Sequence, residues 1–248
     1  MCYFNSLALK PDQKIKINTI EKQLTNQTAV TRAITSGFEY TTWPIITPVD
    51  GGKDADISLA HWEFIAPWIK TSAAVAENRK KFNTLNATAE NLLTSKLFRN
   101  AALHQRCLIL SSGFYEWRHY KPQDAKKDIA YPYYITLPHH SYFFMAGIYQ
   151  PWVDQETGEA INTFAIVTAK ANALMEQVHN TKKRMPVILT EDLAHQWLQN
   201  NLPEKNISEL ASYQYNSSLM QASSIHKNFR TAVDPQTPFI YPELPPLT

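Results

Sequence analysis

The stretch from Arg106 to Trp117 places the tightest constraint on how this chain can fold. It reads RCLILSSGFYEW: an apolar run typical of a buried strand, a Ser-Ser-Gly break and a second, aromatic strand. Alternation with a period of two puts Phe114 and Glu116 on one face of the second strand and Tyr115 on the other. A carboxylate in a desolvated site has its pKa raised toward neutrality and can act as a general acid or base. The alternative is a glutamate at a sheet edge that points into solvent, which is the commoner fate of a lone glutamate.

Other segments predict a chain of strands interrupted by short helices. Turn residues 154–158 separate the predicted strands Tyr142–Gln150 and Thr163–Thr168, which are therefore expected to be antiparallel neighbours. The predicted strands are His61–Trp68, Tyr131–Leu137, Tyr142–Gln150 and Thr163–Thr168. The predicted helices are Ile17–Leu24, Leu97–Ala102, Ala169–Val178 and a segment capped by Thr190 that runs through Trp197.

Composition narrows the class of protein. A chain of 248 residues with 44% hydrophobic content can bury one substantial core, in one or two domains. The sequence has no secretory-signal pattern and no apolar run of about 18 residues, so we expect a cytoplasmic protein without membrane association. Cys2 and Cys107 are far apart and form no C-x-x-C motif, which argues against a disulfide scaffold and a cysteine-built zinc site. No cofactor and no metal are expected.

Charge alone does not predict a nucleic-acid partner. The formal net charge is +2, so such a prediction depends on local clustering. Between residues 79 and 106 there are six Lys or Arg residues and one acid, Glu90, which is compatible with a surface that faces phosphates. A solvated loop explains the basic run Arg79–Lys81 equally well. The tryptophans of His61–Trp68 either fill the core or offer faces on which bases can stack.

Cys2 follows the initiator methionine. Removal of Met1 would leave one residue with a free α-amine and a thiol, whose reference pKa values are about 7.7–8.0 and about 8.5, so that each is partly reactive near neutral pH. The amine can attack an aldehyde to give a Schiff base, and the thiol can then close onto the imine carbon to give a thiazolidine ring. The alternative is a frayed terminus without a function.

His179 is the second titratable candidate. The predicted helix Ala169–Val178 delivers it at its C-terminal end, where the helix dipole favours a protonated imidazole. We therefore expect His179 to transfer protons near neutral pH. The alternative is an ordinary histidine that caps the helix.

The order of the motifs resembles that of the SRAP family, the SOS-response-associated peptidases, whose members act on abasic sites in single-stranded DNA. The motifs are Met1-Cys2, Trp62–Trp68, Asn86-Ala87-x-x-Glu90, Arg106–Ile109, Gly113–Trp117, and His179 with Arg184–Leu189. The resemblance implies one α+β domain over residues 1–248, with a twisted antiparallel, barrel-like β core flanked by helices. The motifs lie in residues 1–225, and the proline-rich tail 226–248 is expected to wrap over the surface.

The resemblance also implies a covalent DNA-protein crosslink through Cys2. It implies peptidase-like or lyase-like chemistry that requires no metal, and the protein is expected to be a monomer. Matched by motif, the nucleophile is Cys2, the site asparagine is Asn86, and the acid-base groups are Glu116 and His179. Two arginines of the family pattern, both expected phosphate contacts, are replaced here by Phe4 and Thr88. The arginine of the Arg-Met-Pro motif follows the histidine by five residues instead of two.

Further side chains are expected to contact DNA. We expect cations near the altered motifs to contact phosphates in place of the two lost arginines, and we expect Phe4 to stack on a base. The expected contacts are Phe4, Trp62, Trp68, Thr88, Arg99, Lys182, Lys183 and Arg184. Two other classes of protein stay open: an amidohydrolase that uses Cys2 as an N-terminal nucleophile, and a non-catalytic protein that binds single-stranded DNA.

Overall fold

Two mainly antiparallel sheets, a two-stranded hairpin and six short helices make up the described part of the chain. A computed structural model describes residues 2–26, 28 and 31–248. The strands are β1 (Phe4–Ala8), β2 (Lys14–Ile17), β3 (Ile20–Gln23), β4 (Thr31–Ser36), β5 (Thr42–Val49), β6 (Asp54–Trp62), β7 (Asn86–Thr88), β8 (Arg106–Ser111), β9 (Gly113–Tyr120), β10 (Ile129–Thr136), β11 (Phe143–Val153), β12 (Ala160–Lys170), β13 (Arg184–Pro186), β14 (Ile188–Leu189) and β15 (Gln221–Ser224). The helices are α1 (Ser72–Arg79), α2 (Ala89–Leu92), α3 (Arg99–His104), α4 (Ala173–Val178), α5 (Glu191–Trp197) and α6 (Glu204–Ala211).

Five of these strands close into a barrel. The order β12-β6-β5-β8-β11 returns to β12 through the β11–β12 pair, and among these five strands only the β6–β12 pair is parallel. Every residue of β8 is buried, as its unbroken apolar run predicts. The α+β class with a barrel-like core, predicted from the sequence, is therefore confirmed.

A second sheet carries the N-terminus. Its order is β15-β10-β9-β1-β4, with Phe4 opposite Tyr115 in the β1–β9 pair. Glu116, in β9, lies opposite Tyr133 of β10. Because β1 and β9 pair in this register, the residues just before β1 lie beside Glu116, which is distant along the chain.

Several local predictions are confirmed, and one is wrong. The strands over 131–137, 142–150 and 163–168 are present, as are the helix near 97–102 and the helix capped by Thr190, whose hydroxyl accepts from the Leu193 amide. The helix predicted over Ile17–Leu24 is instead the second half of the β2–β3 hairpin. Its turn contains Asn18 at a φ of 53°, a left-handed conformation that asparagine tolerates.

Two further segments differ in extent from the prediction. The strand expected over His61–Trp68 ends at Trp62, and helix α4 begins at Ala173 because β12 continues to Lys170. The proline-rich tail packs against the second sheet, where Phe229 stacks on Tyr115 at a centroid distance of 5.1 Å and Tyr241 packs edge-on against Tyr131 at 4.8 Å. No helix in the described part of the chain is long and apolar enough to cross a membrane.

Candidate active site

Cys2 lies two residues before the start of β1 and has none of its surface exposed. Its carbonyl oxygen accepts a hydrogen bond of 3.0 Å from the Asn86 side-chain amide. Its sulfur lies 3.9 Å from the Phe4 carbonyl, a weak contact at most. The residue expected to be the nucleophile is thus held inside the protein by the asparagine that the motif order associates with it.

Asn86 is the first residue of β7, which pairs in parallel with the barrel strand β12 opposite Ile166. While Nδ2 donates to Cys2, the buried Oδ1 has no hydrogen-bond partner among the described residues. A buried polar atom without a hydrogen-bond partner costs free energy. In native structures such an atom is explained by a ligand, a water molecule or a catalytic role that supplies the missing hydrogen bond. Asn86 can therefore accept a hydrogen bond from a group that enters beside Cys2.

Glu116 is 4% exposed, on the inner face of β9, as the two-residue alternation predicts. Burial raises the pKa of its carboxyl from 4.5 to about 7. Near neutral pH the protonated and ionised forms are thus both populated. A carboxyl with this pKa can give a proton to one group and take a proton from another.

His179 caps the C-terminal end of α4, and its Nε2 lies 3.8 Å from a Glu116 oxygen. Nδ1 lies 2.9 Å from the Arg184 carbonyl, which can only accept, so Nδ1 carries the proton and Nε2 faces the carboxyl with its lone pair. Burial lowers the pKa of His179 from 6.5 to about 4. The sequence-based expectation of a protonated imidazole is wrong, because the loss of hydration outweighs the helix dipole.

The thiol of Cys2 also departs from its expected state. Burial, with the charge of Glu116 as a second cause, raises the pKa of the Cys2 thiol well above its ordinary value. The partly ionised thiol expected at neutral pH is therefore replaced by a neutral one. Any reaction of this sulfur needs a base close by, and Glu116 is the carboxylate that acts on it electrostatically.

Arg184 joins the strands that hold the site. Its guanidinium makes two hydrogen bonds to Glu90, of 2.6 and 2.9 Å, and one of 2.6 Å to the Thr168 carbonyl. Its own carbonyl accepts from His179. These contacts occupy most of the donors that were expected to bind phosphate, and the structure places Arg184 as a support for His179. The sequence analysis did not predict this pair, although the opposite charges of Glu90 and Arg184, both within the SRAP-like motifs, could have indicated it.

Lys182, in contrast, borders an open depression above Glu116 and His179. Tyr3, Trp117, His119 and Thr181 complete its lining, and sequence reasoning proposed none of these four as site residues. Lys183 is exposed beside it, at a φ of 49°. Thr88 ends β7, two residues after Asn86, and is half-buried. These positions are compatible with the expected contacts to DNA.

Three expected contacts lie elsewhere or are covered. Trp62 is 1% exposed, with its indole stacked on Phe164 and donating to the Leu85 carbonyl, so it belongs to the core. Arg99 pairs with Glu204 at 2.6 Å on the side of α6. Phe4 is half-buried, packs edge-on against Trp117 and has the Arg230 guanidinium 4.5 Å from its ring. Trp68, by contrast, is 59% exposed and lines a cleft that also contains Asn86.

The described residues contain no group of three or more His, Cys, Asp or Glu side chains placed to hold a metal ion. The barrel and the second sheet thus define an α+β protein that brings together one cysteine, one asparagine, one glutamate and one histidine. The glutamate and the histidine line a surface depression, and the asparagine lines the cleft of Trp68.

The chain belongs to the SOS response associated peptidase (SRAP) family, whose model matches residues 1–231. It is 32% identical over 181 residues to the abasic site processing protein YoqW of Bacillus subtilis, covering 73% of this chain and 74% of that protein. A crystal structure of a Bacteroides thetaiotaomicron protein superposes with a TM-score of 0.75 at 30% identity, covering 96% of this chain and 97% of the other. A Bordetella bronchiseptica protein shares the fold at 22% identity, with a TM-score of 0.70 over 91% of this chain and all of the other.

Proposed function

We propose that this protein captures abasic sites in single-stranded DNA as a covalent thiazolidine on Cys2. The observation that carries the proposal is the convergence of Asn86, Glu116 and His179 around the one residue that can offer both an amine and a thiol. The name of YoqW, an abasic site processing protein, supports the same substrate. In the unprocessed chain the Cys2 nitrogen belongs to the Met1-Cys2 peptide bond, so that bond must be cut before capture.

The first step is the opening of the sugar. An abasic deoxyribose is mostly a closed hemiacetal, and its aldehyde appears only when the ring opens. Opening requires a proton to leave the C1′ hydroxyl and another to reach the ring oxygen. Glu116, with a pKa of about 7, can serve both transfers.

The second step forms the ring on the protein. The Cys2 amine adds to C1′, and loss of one water molecule gives an imine. The sulfur then bonds to the same carbon, while its proton passes to the Glu116 carboxylate and the imine nitrogen takes up a proton. The overall change is aldehyde plus aminothiol to thiazolidine plus water, which needs no oxidant and no metal.

Asn86 and His179 support these transfers. The free Oδ1 of Asn86 can accept from the Cys2 amine or a sugar hydroxyl, which fixes the direction of attack. The neutral imidazole of His179 presents Nε2 toward Glu116, so it can accept a proton from, or return one to, the carboxyl. The same groups suit cleavage of the Met1-Cys2 bond and reversal of the crosslink, which form the peptidase-like and lyase-like part of the proposal.

The test is a crosslinking assay with protein lacking Met1. We expect a band that survives a denaturing gel with single-stranded DNA carrying one abasic site, and none with DNA whose abasic aldehyde has been reduced to an alcohol. An amidohydrolase would instead release ammonia from glutamine without forming the band. A non-catalytic binding protein would shift the DNA only on a native gel. Either result would overturn the proposal.

A further inference from the structure

Asn180, the residue after His179, joins the two segments that carry the acid-base pair. Its side-chain Oδ1 accepts a hydrogen bond of 2.9 Å from the His119 amide, and its Nδ2 donates one of 2.7 Å to the His119 carbonyl. We call these two bonds the amide clamp. His119 belongs to β9, as Glu116 does, so the clamp ties the strand of Glu116 to the turn of His179.

The amide clamp has the hydrogen-bond pattern of a β-sheet. In an antiparallel sheet, two opposed residues can exchange both of their backbone hydrogen bonds. A side-chain amide carries the same kinds of donor and acceptor as a peptide group, so Asn180 takes the place of an opposed strand residue. β1 pairs with β9 from Gly113 to Tyr115. Asn180 therefore satisfies the backbone groups of His119 at a position of β9 that β1 does not reach.

The acid-base pair spans two sheets. Glu116 belongs to the second sheet through β9. His179 is attached to the barrel, because its imidazole contacts the carbonyl of Arg184, in β13, which pairs with β12. The separation of 3.8 Å between Glu116 and His179 is thus a distance between groups anchored in different sheets. A contact between β9 and the turn after α4 limits how far the two groups can move apart.

The amide clamp also joins the two sides of the depression that the pair lines. Besides Tyr3, every residue that lines this depression comes from one of the two clamped segments. β9 contributes Glu116, Trp117 and His119, and the turn after α4 contributes His179, Thr181 and Lys182. Separation of these segments would admit water to the Glu116 carboxyl. Because burial is what raises the pKa of Glu116, such hydration would lower that pKa again.

We propose that Asn180 is a positioning residue that holds the Glu116 carboxyl and the His179 imidazole close enough to exchange a proton. Proton transfer needs a separation of about 2.6–3.2 Å, so a pair at 3.8 Å has little distance to spare. The inference rests on the proposed function and adds a residue that acts through the acid-base pair.

Crosslinking rates test this role, with protein lacking Met1 and abasic single-stranded DNA. Asn180→Ala should lower the rate at saturating DNA by about 10- to 100-fold, because a misplacement of about 1 Å can cost about 100-fold. The DNA concentration that gives half the maximal rate should stay at the wild-type value. Asn180→Asp keeps the shape of the side chain, but its carboxylate cannot donate to the His119 carbonyl, so this variant should also be slow at saturating DNA.

A double variant separates positioning from a general loss of structure. If Asn180 acts through His179, its side chain has nothing left to position in His179→Ala. The double variant N180A/H179A should therefore crosslink within about twofold of His179→Ala alone.

Gln199→Ala is the matched control. The Gln199 side-chain amide donates a hydrogen bond of 3.1 Å to the Gly52 carbonyl, in the turn between β5 and β6. This contact, like the amide clamp, links a side chain to a backbone group that is distant along the chain. Its loss should leave the crosslinking rate unchanged.

The proposal is overturned if Asn180→Ala or Asn180→Asp crosslinks at the wild-type rate, if Asn180→Ala slows His179→Ala by its full factor, or if Gln199→Ala is equally slow. A wild-type protein that forms no crosslink would contradict the proposed function instead, and urea unfolding then decides the role of Asn180. Glu116→Gln should stabilise the wild-type protein at pH 8 more than it stabilises Asn180→Ala, because a hydrated Glu116 ionises at a smaller cost in stability. Equal stabilisation of the two proteins would overturn the positioning role.

Discussion

At the scale of single residues, burial moves two pKa values in opposite directions, upward for Glu116 and downward for His179. Near neutral pH, Glu116, with a pKa of about 7, is still partly protonated, whereas an exposed glutamate would have lost its proton. His179, with a pKa of about 4, stays neutral where an exposed histidine would begin to ionise. Neither state can be predicted from residue type, because both depend on how completely β9 and α4 are covered.

Glu116→Gln should stabilise the protein at high pH. The folded-state pKa of Glu116 is raised from 4.5 to about 7, so the folded form binds a proton that the unfolded chain releases, and stability falls as pH rises through this window. The shift corresponds to about 3 kcal/mol at pH 8, which the glutamine variant recovers. Urea unfolding at pH 4 and pH 8 measures it.

The same substitution should slow crosslinking by about 10² to 10⁴, the usual contribution of a general acid-base group. Glu159→Gln, at an exposed turn, is the control and should change neither quantity. If Glu116→Gln were less stable than wild type at pH 8, the carboxyl would be ionised and well paired in the folded state, which is incompatible with a raised pKa.

His179→Ala should slow crosslinking too, and its stability should reveal the lowered pKa. A histidine buried in its neutral form makes the protein lose stability as pH falls from about 6.5 toward about 4, since the unfolded chain takes up a proton that the folded one does not. The alanine variant should lose less stability over this range. Thermal unfolding at pH 7 and pH 5 checks the difference, and an equal loss in both proteins would refute the neutral assignment.

At the scale of secondary-structure elements, the site depends on a link between β7, β12 and the loop after α4. Glu90 follows β7, Thr168 belongs to β12, and Arg184 connects both to the carbonyl that orients His179. The five-residue spacing between His179 and Arg184 forms one turn, closed by a hydrogen bond of 2.8 Å from the Lys183 amide to the His179 carbonyl. The longer spacing therefore still brings the arginine backbone to the imidazole.

Arg184→Lys should impair chemistry more than DNA binding. A lysine keeps the charge but cannot reproduce the two-pronged contact with Glu90. We expect slower crosslinking and lower stability, with the salt slope for DNA binding unchanged. Arg99→Lys breaks a similar pair with Glu204 away from the site and should leave crosslinking at the wild-type rate. The charge-removing variant Arg184→Gln tests the alternative, because a salt slope lowered by about 0.7 in that variant would show that Arg184 contacts phosphate after all.

Thr88→Arg should restore a missing contact. Thr88 ends the strand that Asn86 begins, so a cation there lies close to the reacting sugar. We expect tighter binding to single-stranded DNA and a salt slope steeper by about 0.7, the contribution of one phosphate. Thr157→Arg, in the exposed β11–β12 turn, adds the same charge elsewhere as a control. Equal effects of the two substitutions would mean that only net charge matters.

At the scale of the whole molecule, the sequence predicts what is local and misses what depends on distant pairing. Apolar runs such as β8 predict buried strands, but nothing local in β6 shows that it pairs in parallel with β12 and closes the barrel. Ile15, Ile17 and Ile20 fit both a strand and a helix, and the hairpin is the outcome because its three isoleucines are buried together. Cys2, Glu116 and His179 were candidates from local sequence features, and the order of motifs added Asn86. The raised pKa of Glu116 agrees with the sequence-based expectation, whereas the lowered pKa of His179 and the neutral Cys2 thiol follow only from their burial.

Mass spectrometry of the adduct can show whether Cys2 captures the abasic sugar through both nitrogen and sulfur. Protein lacking Met1 is incubated with abasic single-stranded DNA, digested, and treated with a thiol-alkylating reagent. We predict a Cys2 peptide whose mass increases by the DNA remnant minus one water, and which the reagent does not alkylate because the sulfur is in the ring. Cys2→Ala should yield no adduct unless borohydride is added. An adduct on Cys2 with a free, alkylated sulfur, or an equally stable adduct in Cys2→Ala, would contradict capture as a thiazolidine.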